Sequence, residues 1–61
     1  MEKKTAVLFA DGVEESEALT IVDILRRAGF NARITGVTGD VIEGAHGICV
    51  RADEQISDIR P

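Results

Sequence analysis

The stretch that decides the fold is TAVLFADGVEESE, residues 5–17. Its first six residues are almost continuously apolar, and the pair Asp11-Gly12 then ends the run. Continuous rather than alternating hydrophobicity is typical of a strand that is covered on both faces of a parallel sheet. We therefore predict a strand at about residues 4–10, in the central position of a doubly wound α/β sheet.

A helix is predicted directly after this strand, at about residues 14–28. Acidic residues occupy its first turn, where the positive end of the helix dipole favours them: Glu14, Glu15 and Glu17. Apolar residues then recur with helical spacing, at Ala18, Ile21, Val22, Leu25 and Ala28. The last turn is basic, with Arg26 and Arg27, and Gly29 follows as a typical residue after a helix end.

The remaining chain predicts short strands. A second strand is expected at about residues 31–37, which completes a right-handed β-α-β unit. A small hairpin follows at about residues 40–51, with a turn between Gly44 and Gly47. The stretch from Asp53 to Ile59 is expected to form one helical turn.

The length of the chain limits what it can do alone. A domain of 61 residues is only marginally stable without a disulfide, a metal or a partner surface. One cysteine excludes an internal disulfide, and one Cys with one His cannot build a closed zinc site. A single helix also leaves one face of a parallel sheet uncovered. We therefore expect residues 1–61 to be an incomplete N-terminal segment of a single α/β domain, unstable in isolation and completed by the remainder of a longer polypeptide or by a second copy.

Composition excludes several classes of partner. The apolar fraction of 44% is typical of a globular chain, and the net charge of −4 argues against nucleic acid and anionic membrane. No apolar run approaches the ~20 residues that span a bilayer, and no signal peptide is evident. We expect a cytoplasmic protein with no membrane partner.

The acidic cluster at residues 14–17 is the main candidate site, because sites in open α/β sheets gather at the carboxyl ends of strands. From composition alone, stabilisation of the helix dipole is the preferred explanation of the cluster. The alternative is that one carboxylate points back over the strand end, where like charges raise its pKa and let it donate a hydrogen bond. The sequence contains no phosphate-binding glycine loop, and no cofactor is expected. It also contains neither a serine triad nor a nucleophile elbow.

Three other residues have simpler explanations. Cys49 lies between Ile48 and Val50, and we expect a small buried filler rather than a nucleophile. His46 is expected to be an exposed turn residue, and Arg27 a partner of the helix dipole, although either could contact a site or a second subunit.

Two motifs together resemble the beginning of ThiJ/PfpI superfamily proteins. They are the G-x-E-E-x-E stretch that starts at Gly12 and the D-x-L-R-R-A-G helix end that starts at Asp23. The similarity is greatest to the branch of the parkinsonism-associated protein, the DJ-one branch, and it runs over essentially the whole chain. It implies a flavodoxin-like, class I glutamine amidotransferase-like sandwich that is usually a homodimer.

The resemblance also implies a site. The third glutamate of the motif, Glu17, matches the acid that the family carries protonated and hydrogen-bonded to a reactive cysteine. That cysteine stands on a nucleophile elbow in the middle of the family's chains, and Cys49 does not match it. Glu14, Glu15, Arg27 and His46 are expected to be auxiliary or interface residues, and related proteins often carry Arg in place of His46.

The family's activities make a glyoxalase- or deglycase-like parent protein the leading interpretation, with a small dicarbonyl as its substrate and a role in oxidative-stress protection. This chain would supply the site glutamate without the nucleophile, so it would not be an enzyme alone. A PfpI-type protease or amidase parent and a chaperone-like or other non-catalytic interaction module are the alternatives. A receiver-like signalling domain fits less well, because only Asp11 stands directly at the strand end.

Overall fold

A β-α-β unit forms the first half of the chain. The computed structural model describes residues 3–59, with side chains from Lys4 onward. Strand β1 is Lys3–Phe9, helix α1 is Glu15–Arg27, and strand β2 is Phe30–Gly36. All three elements lie where the sequence predicts them, within about one residue. The helix begins one residue later than the approximate predicted start, because Glu14 has an extended backbone (φ −78°, ψ 110°) and caps the helix with its side chain.

A hairpin follows this unit. Strands β3 (Val41–Glu43) and β4 (Cys49–Arg51) pair antiparallel, and Ile42 stands opposite Val50. Both of these side chains contribute to the core, so their neighbours in the strands face outward. Cys49 is therefore exposed, and the expectation that it is a buried filler is wrong.

A third parallel strand was not predicted. Strand β5 is only Glu54–Gln55, and it pairs with the carboxyl end of β2. One turn of 3-10 helix, Ile56–Asp58, follows within the stretch that predicts a helical turn. The order of the described sheet is β1-β2-β5, so β2 lies between the other two strands within residues 3–59. The central position of β1 in a complete doubly wound sheet stays a prediction.

The core lies between the sheet and α1. Its buried apolar side chains come from both layers and from the hairpin: Phe9, Ala18, Val22, Ala32, Ile34 and Ile42. Full burial of one such large side chain contributes roughly 1.5–3 kcal/mol, so six residues make a small core.

The sheet face opposite α1, which we term the outer face, is only partly covered. Leu8 remains 56% exposed on it, as the single helix of the sequence predicts. Other parts of this face are polar, because Lys4 Nζ pairs with Glu54 Oε1 at 3.2 Å and Thr35 Oγ1, directly beside Leu8, donates to Glu54 Oε2 at 3.1 Å. The uncovered part of the outer face is therefore smaller and less apolar than the sequence predicts.

No helix within residues 3–59 has the length and apolar character needed to cross a membrane.

Candidate functional site

The loop between β1 and α1 is tied to the hairpin. Gly12 N–H donates to the carbonyl oxygen of Glu43 at 2.9 Å, and Glu43 N–H donates to Asp11 Oδ1 at 3.1 Å. Ala45 N–H donates to the carbonyl oxygen of Val13 at 2.7 Å. Gly12 has a φ of 92°, a backbone conformation that favours glycine. These bonds bring the turn of the hairpin to the N-terminus of α1, at the carboxyl end of β1.

Glu14 is the N-cap of α1. Its Oε1 accepts from Ser16 N–H at 3.0 Å, and its Oε2 accepts from Glu17 N–H at 3.3 Å. The hydrogen bond from the Ser16 backbone is the main reason why the pKa of Glu14 lies below its ordinary value. Part of the acidic cluster therefore does stabilise the start of the helix.

Glu15 is the buried member of the cluster, with an exposed fraction of 2%. Its Oε2 accepts two backbone hydrogen bonds from the hairpin turn, from His46 N–H at 2.8 Å and from Ile48 N–H at 3.0 Å. Its Oε1 lies 2.8 Å from His46 Nδ1. Burial favours the neutral form of the carboxyl, but these donors outweigh it and lower the pKa of Glu15 to about 2. The side chain is an ionised carboxylate enclosed by N–H donors.

His46 completes this contact from the hairpin side. An ionised carboxylate can only accept hydrogen bonds, so Nδ1 of His46 carries the proton that faces Glu15. This hydrogen bond and the negative charge of Glu15 raise the pKa of His46, and Glu14, whose Oε1 is 3.7 Å from Nδ1, adds to the effect. The side chain is nevertheless 68% exposed, so the ring is fixed at one nitrogen and open to solvent elsewhere.

Gly44 makes room for the Glu15 carboxylate. A Cβ atom at this position would overlap the Cγ, Cδ and Oε2 atoms of Glu15. The buried carboxylate and the missing side chain therefore form a matched pair across the interface between helix and hairpin.

The other predicted residues lie elsewhere. Glu17 is exposed and lines a shallow open depression with Ser16, Thr20 and Ile21. Arg27 is at the opposite end of α1, about 20 Å along the helix from Glu14, where its Nε donates to Asp23 Oδ1 at 3.2 Å. Cys49 stands opposite Glu43 on the exposed side of the hairpin. The structure thus brings Glu14, Glu15 and His46 together, places Glu17 on the same helical turn, and leaves Arg27 outside the cluster.

The three clustered residues could also be considered as ligands of a metal cation. One donor atom from each of Glu14, Glu15 and His46 lies within 4.8 Å of the others. The Glu15 oxygens already accept three hydrogen bonds, and both Glu14 oxygens cap the helix. The contacts within the described residues are those of a hydrogen-bonded network.

The topology and the site define a class of protein. Parallel strands joined by a helix, with side chains gathered at the carboxyl end of the first strand, are the opening of a flavodoxin-like α/β fold. Solved structures agree with this assignment. DJ-1 of Toxoplasma gondii, in an oxidized form, superposes with a TM-score of 0.87 at 38% identity over 92% of this chain and 31% of its own. A DJ-1 superfamily protein of Salmonella typhimurium, solved as a cysteine-to-alanine mutant, gives 0.85 at 37% identity, also over 92% of this chain and 31% of its own.

The chain belongs to the DJ-1/PfpI family, whose model matches residues 3–61. Among curated relatives, protein DJ-1 homolog B of Arabidopsis thaliana is 38% identical over 93% of this chain and 13% of its own length. An uncharacterized protein of Staphylococcus epidermidis is 36% identical over 100% of this chain and 36% of its own. The resemblance seen in the motifs is thereby confirmed. The chain spans about a third or less of the length of these relatives.

Sequence reasoning missed the role of Glu15. All three glutamates fit the first turn of a helix, and the partners that bury Glu15 lie 31 and 33 residues further along the chain. The available signal was the pattern Gly44-Ala45-His46-Gly47, a turn with little side-chain bulk and one polar ring.

Proposed function

We propose that this chain is the N-terminal part of a cysteine-dependent, glyoxalase- or deglycase-like protein that acts on small dicarbonyls and protects against oxidative stress. The observation that carries the proposal is the fixed acidic turn at the carboxyl end of β1. There, Glu14 and Glu15 are occupied by the chain's own donors while Glu17 faces an open depression. Membership of the DJ-1/PfpI family supports the assignment.

Glu17 is the residue to which we assign the chemical role. In this proposal it holds a hydrogen bond to the thiol of a cysteine that lies outside these 61 residues and so tunes the thiolate. Cys49 is not that cysteine, because it stands within strand β4 on the exposed side of the hairpin, opposite Glu43, and not on a nucleophile elbow.

The proposed reaction on methylglyoxal conserves every atom. The thiolate adds to the aldehyde carbon, and the hydrogen on that carbon moves to the former ketone carbon, which leaves a 2-hydroxyacyl thioester. Water then cleaves the thioester to lactate and the free thiol. The aldehyde carbon is oxidised and the ketone carbon is reduced, so no external oxidant or cofactor is consumed.

The test is Glu17→Gln in the full-length protein. We expect the variant to change the pH dependence of thiol alkylation and to lower methylglyoxal turnover by about 10²-fold or more. Glu43→Gln, which also removes an exposed carboxylate near the cluster, is the matched control and should change neither. If thiol alkylation and turnover are both unchanged in Glu17→Gln, the assigned role is wrong.

A second candidate function is docking without catalysis. Helix α1 exposes Ile21 by 51% and Ile24 by 58%, and Leu8 is exposed on the outer face of the sheet. Ile21 and Ile24 are three residues apart and so lie on one face of the helix, and contiguous exposed apolar surface marks contact sites. We propose that the outer face packs against the remainder of the polypeptide, and that the exposed face of α1, with Arg27 at its end, contacts a second copy in a homodimer.

The two candidates differ in what a surface change does. Ile24→Lys should shift the full-length protein from dimer to monomer in analytical ultracentrifugation while the thiol chemistry of each subunit persists. A protein that folds and dimerises but never turns over a dicarbonyl would favour the interaction module, with chaperone-like binding as its activity. Turnover of peptide or amide substrates instead would indicate a PfpI-type protease or amidase.

We place the protein in the cytoplasm, where a thiol-dependent site stays reduced. Fractionation of cells that express a tagged full-length protein tests this assignment directly. Recovery in the cytosolic fraction is expected, and recovery in a secreted fraction would contradict it.

A further inference from the structure

His46 is the strongest unexplained group in the molecule. One ring nitrogen, Nδ1, is bound to a carboxylate that is itself 98% buried and held by two backbone N–H groups. A buried carboxylate on one imidazole nitrogen orients the ring and stabilises its cationic form. Within residues 3–59 the hydrogen bond of the ring is made through Nδ1, which leaves Nε2 available to a ligand.

We propose that the imidazolium of His46 donates a hydrogen bond from Nε2 to a carbonyl oxygen of the dicarbonyl substrate, and that Glu15 is the residue that positions it. This inference rests on the proposed function and adds a substrate-binding residue to it. Its chemical requirement is a substrate oxygen that gains negative charge when a thiolate adds to the neighbouring carbon.

The position of His46 beside the helix supports the proposal. His46 Nδ1 lies 3.7 Å from Glu14 Oε1, and Glu17 N–H donates to the other oxygen of the same carboxylate. The ring and the backbone N–H of Glu17, the residue to which the thiol is assigned, therefore contact opposite oxygens of one carboxylate.

The local charges explain why a cation is needed there. Glu14 and Glu15 both face the ring from the N-terminus of α1, and the adjacent turn residues Gly44, Ala45 and Gly47 have no titratable side chain. Without a cation, two carboxylates would oppose the negative charge that develops on the substrate oxygen. Protonated His46 offsets the negative potential of these carboxylates and provides a hydrogen-bond donor at the same position.

The proposal predicts a specific dependence on pH. Because the hydrogen bond to Glu15 raises the pKa of His46 above its ordinary value, the charged donor persists to higher pH than in a free imidazole and is lost as the pH rises through the raised value. The wild-type kcat/KM for methylglyoxal should therefore have a descending limb on the alkaline side that belongs to His46.

The test compares two substitutions in the full-length protein, measured from about pH 5 to about pH 9. His46→Gln removes the charge and should lower kcat/KM at mildly acidic pH by about tenfold and abolish the descending limb. His46→Arg supplies a permanent cation and donor, so it should retain activity within about threefold and also lose the descending limb. Both variants keep the backbone N–H that binds Glu15, so the hairpin should stay in place, and a thermal melt checks this.

Glu15→Gln tests the positioning role. It should lower kcat/KM when His46 is present and have little further effect in the His46→Gln background, since the two residues act as one unit. Additive losses in the double variant would show that Glu15 acts independently of His46 and would overturn this part.

The possible failures are distinguishable. Turnover with His46→Gln equal to the wild type, a descending limb that survives in His46→Arg, or a loss in His46→Arg as large as in His46→Gln would each overturn the donor role alone. A wild-type protein that does not turn over methylglyoxal would remove the proposed function and this inference with it.

Discussion

Two glutamates in the first turn of α1 have opposite environments. Glu15 is closed off, 2% exposed, with three N–H groups of the hairpin on its carboxylate. Glu17, two residues later and about 200° around the helix, is exposed beside an open depression. Identical side chains therefore have different surroundings: Glu15 joins the helix to the hairpin, whereas Glu17 is exposed within the described residues.

The pair of substitutions Glu15→Gln and Glu17→Gln tests this contrast most strongly. Glu15→Gln removes the charge and places an amide NH₂ group against backbone donors, so it should cause the largest loss of stability of any single substitution in the cluster. Glu17→Gln should change the free energy of unfolding by less than about 0.5 kcal/mol. Urea unfolding of the full-length protein measures both changes in the free energy of unfolding. Equal changes would contradict the contrast between Glu15 and Glu17.

Gly44→Ala tests the same contact from the hairpin side. The new methyl group would overlap the Glu15 side chain, so the hairpin must move, at a cost of about 1–3 kcal/mol. Gly47→Ala is the control, because its Cβ would meet nothing within 4 Å and its φ of 77° adds only the backbone strain of about 1–2 kcal/mol. A crystal structure of Gly44→Ala should show the Glu15 carboxylate displaced, and an unmoved carboxylate would contradict the close approach.

The two arginines at the end of α1 offer a smaller contrast. Arg26 Nε donates to the carbonyl oxygen of Ala32 at 2.9 Å, and its Nη2 donates to Asp53 Oδ2 at 3.0 Å, which also accepts from Ile34 N–H. Arg27 pairs with Asp23 at the surface, where both side chains are exposed. Arg26→Ala should cost about 1–2 kcal/mol in the free energy of unfolding, and Arg27→Ala less than about 0.5 kcal/mol. A larger loss for Arg27→Ala that depends on protein concentration would indicate a role in the proposed homodimer.

Stability should depend on pH through the pair of Glu15 and His46. The pKa of Glu15 is depressed, so its contribution is present above 4.5 and is lost as the pH falls toward about 2. The pKa of His46 is raised, so its contribution is full below 6.5 and is lost as the pH rises through the raised value. The stability difference between wild type and Glu15→Gln should therefore be greatest between about pH 4.5 and about pH 6.5. A flat difference curve would contradict the coupling.

Much of the fold could be predicted because its signals are local. The apolar run of β1, the helical spacing of α1 and its charged ends all lie within the elements they define. Strand β5 was missed because two polar residues, Glu54-Gln55, carry no strand pattern and pair only once β2 offers a free edge. The exposure of Cys49 likewise follows from the register of the hairpin, which turns Ile42 and Val50 inward.

The site was predicted only in part. The cluster and its place at the strand end follow from the sequence, but choosing among three neighbouring glutamates requires long-range contacts. Glu15 is the buried glutamate because Gly44 has no side chain to block it and because the backbone N–H groups of His46 and Ile48 bind its carboxylate. Any residue other than proline would supply such N–H groups. Such donors leave almost no trace in a single sequence.

The most direct measurement is a carbon-13 NMR titration of the Glu15 side-chain carboxyl in the full-length protein. A buried, ionised carboxylate held by the hairpin predicts a pKa of about 2. A pKa near the ordinary 4.5 would mean that the hairpin does not enclose Glu15, and the distinction between the two sides of α1 would fail.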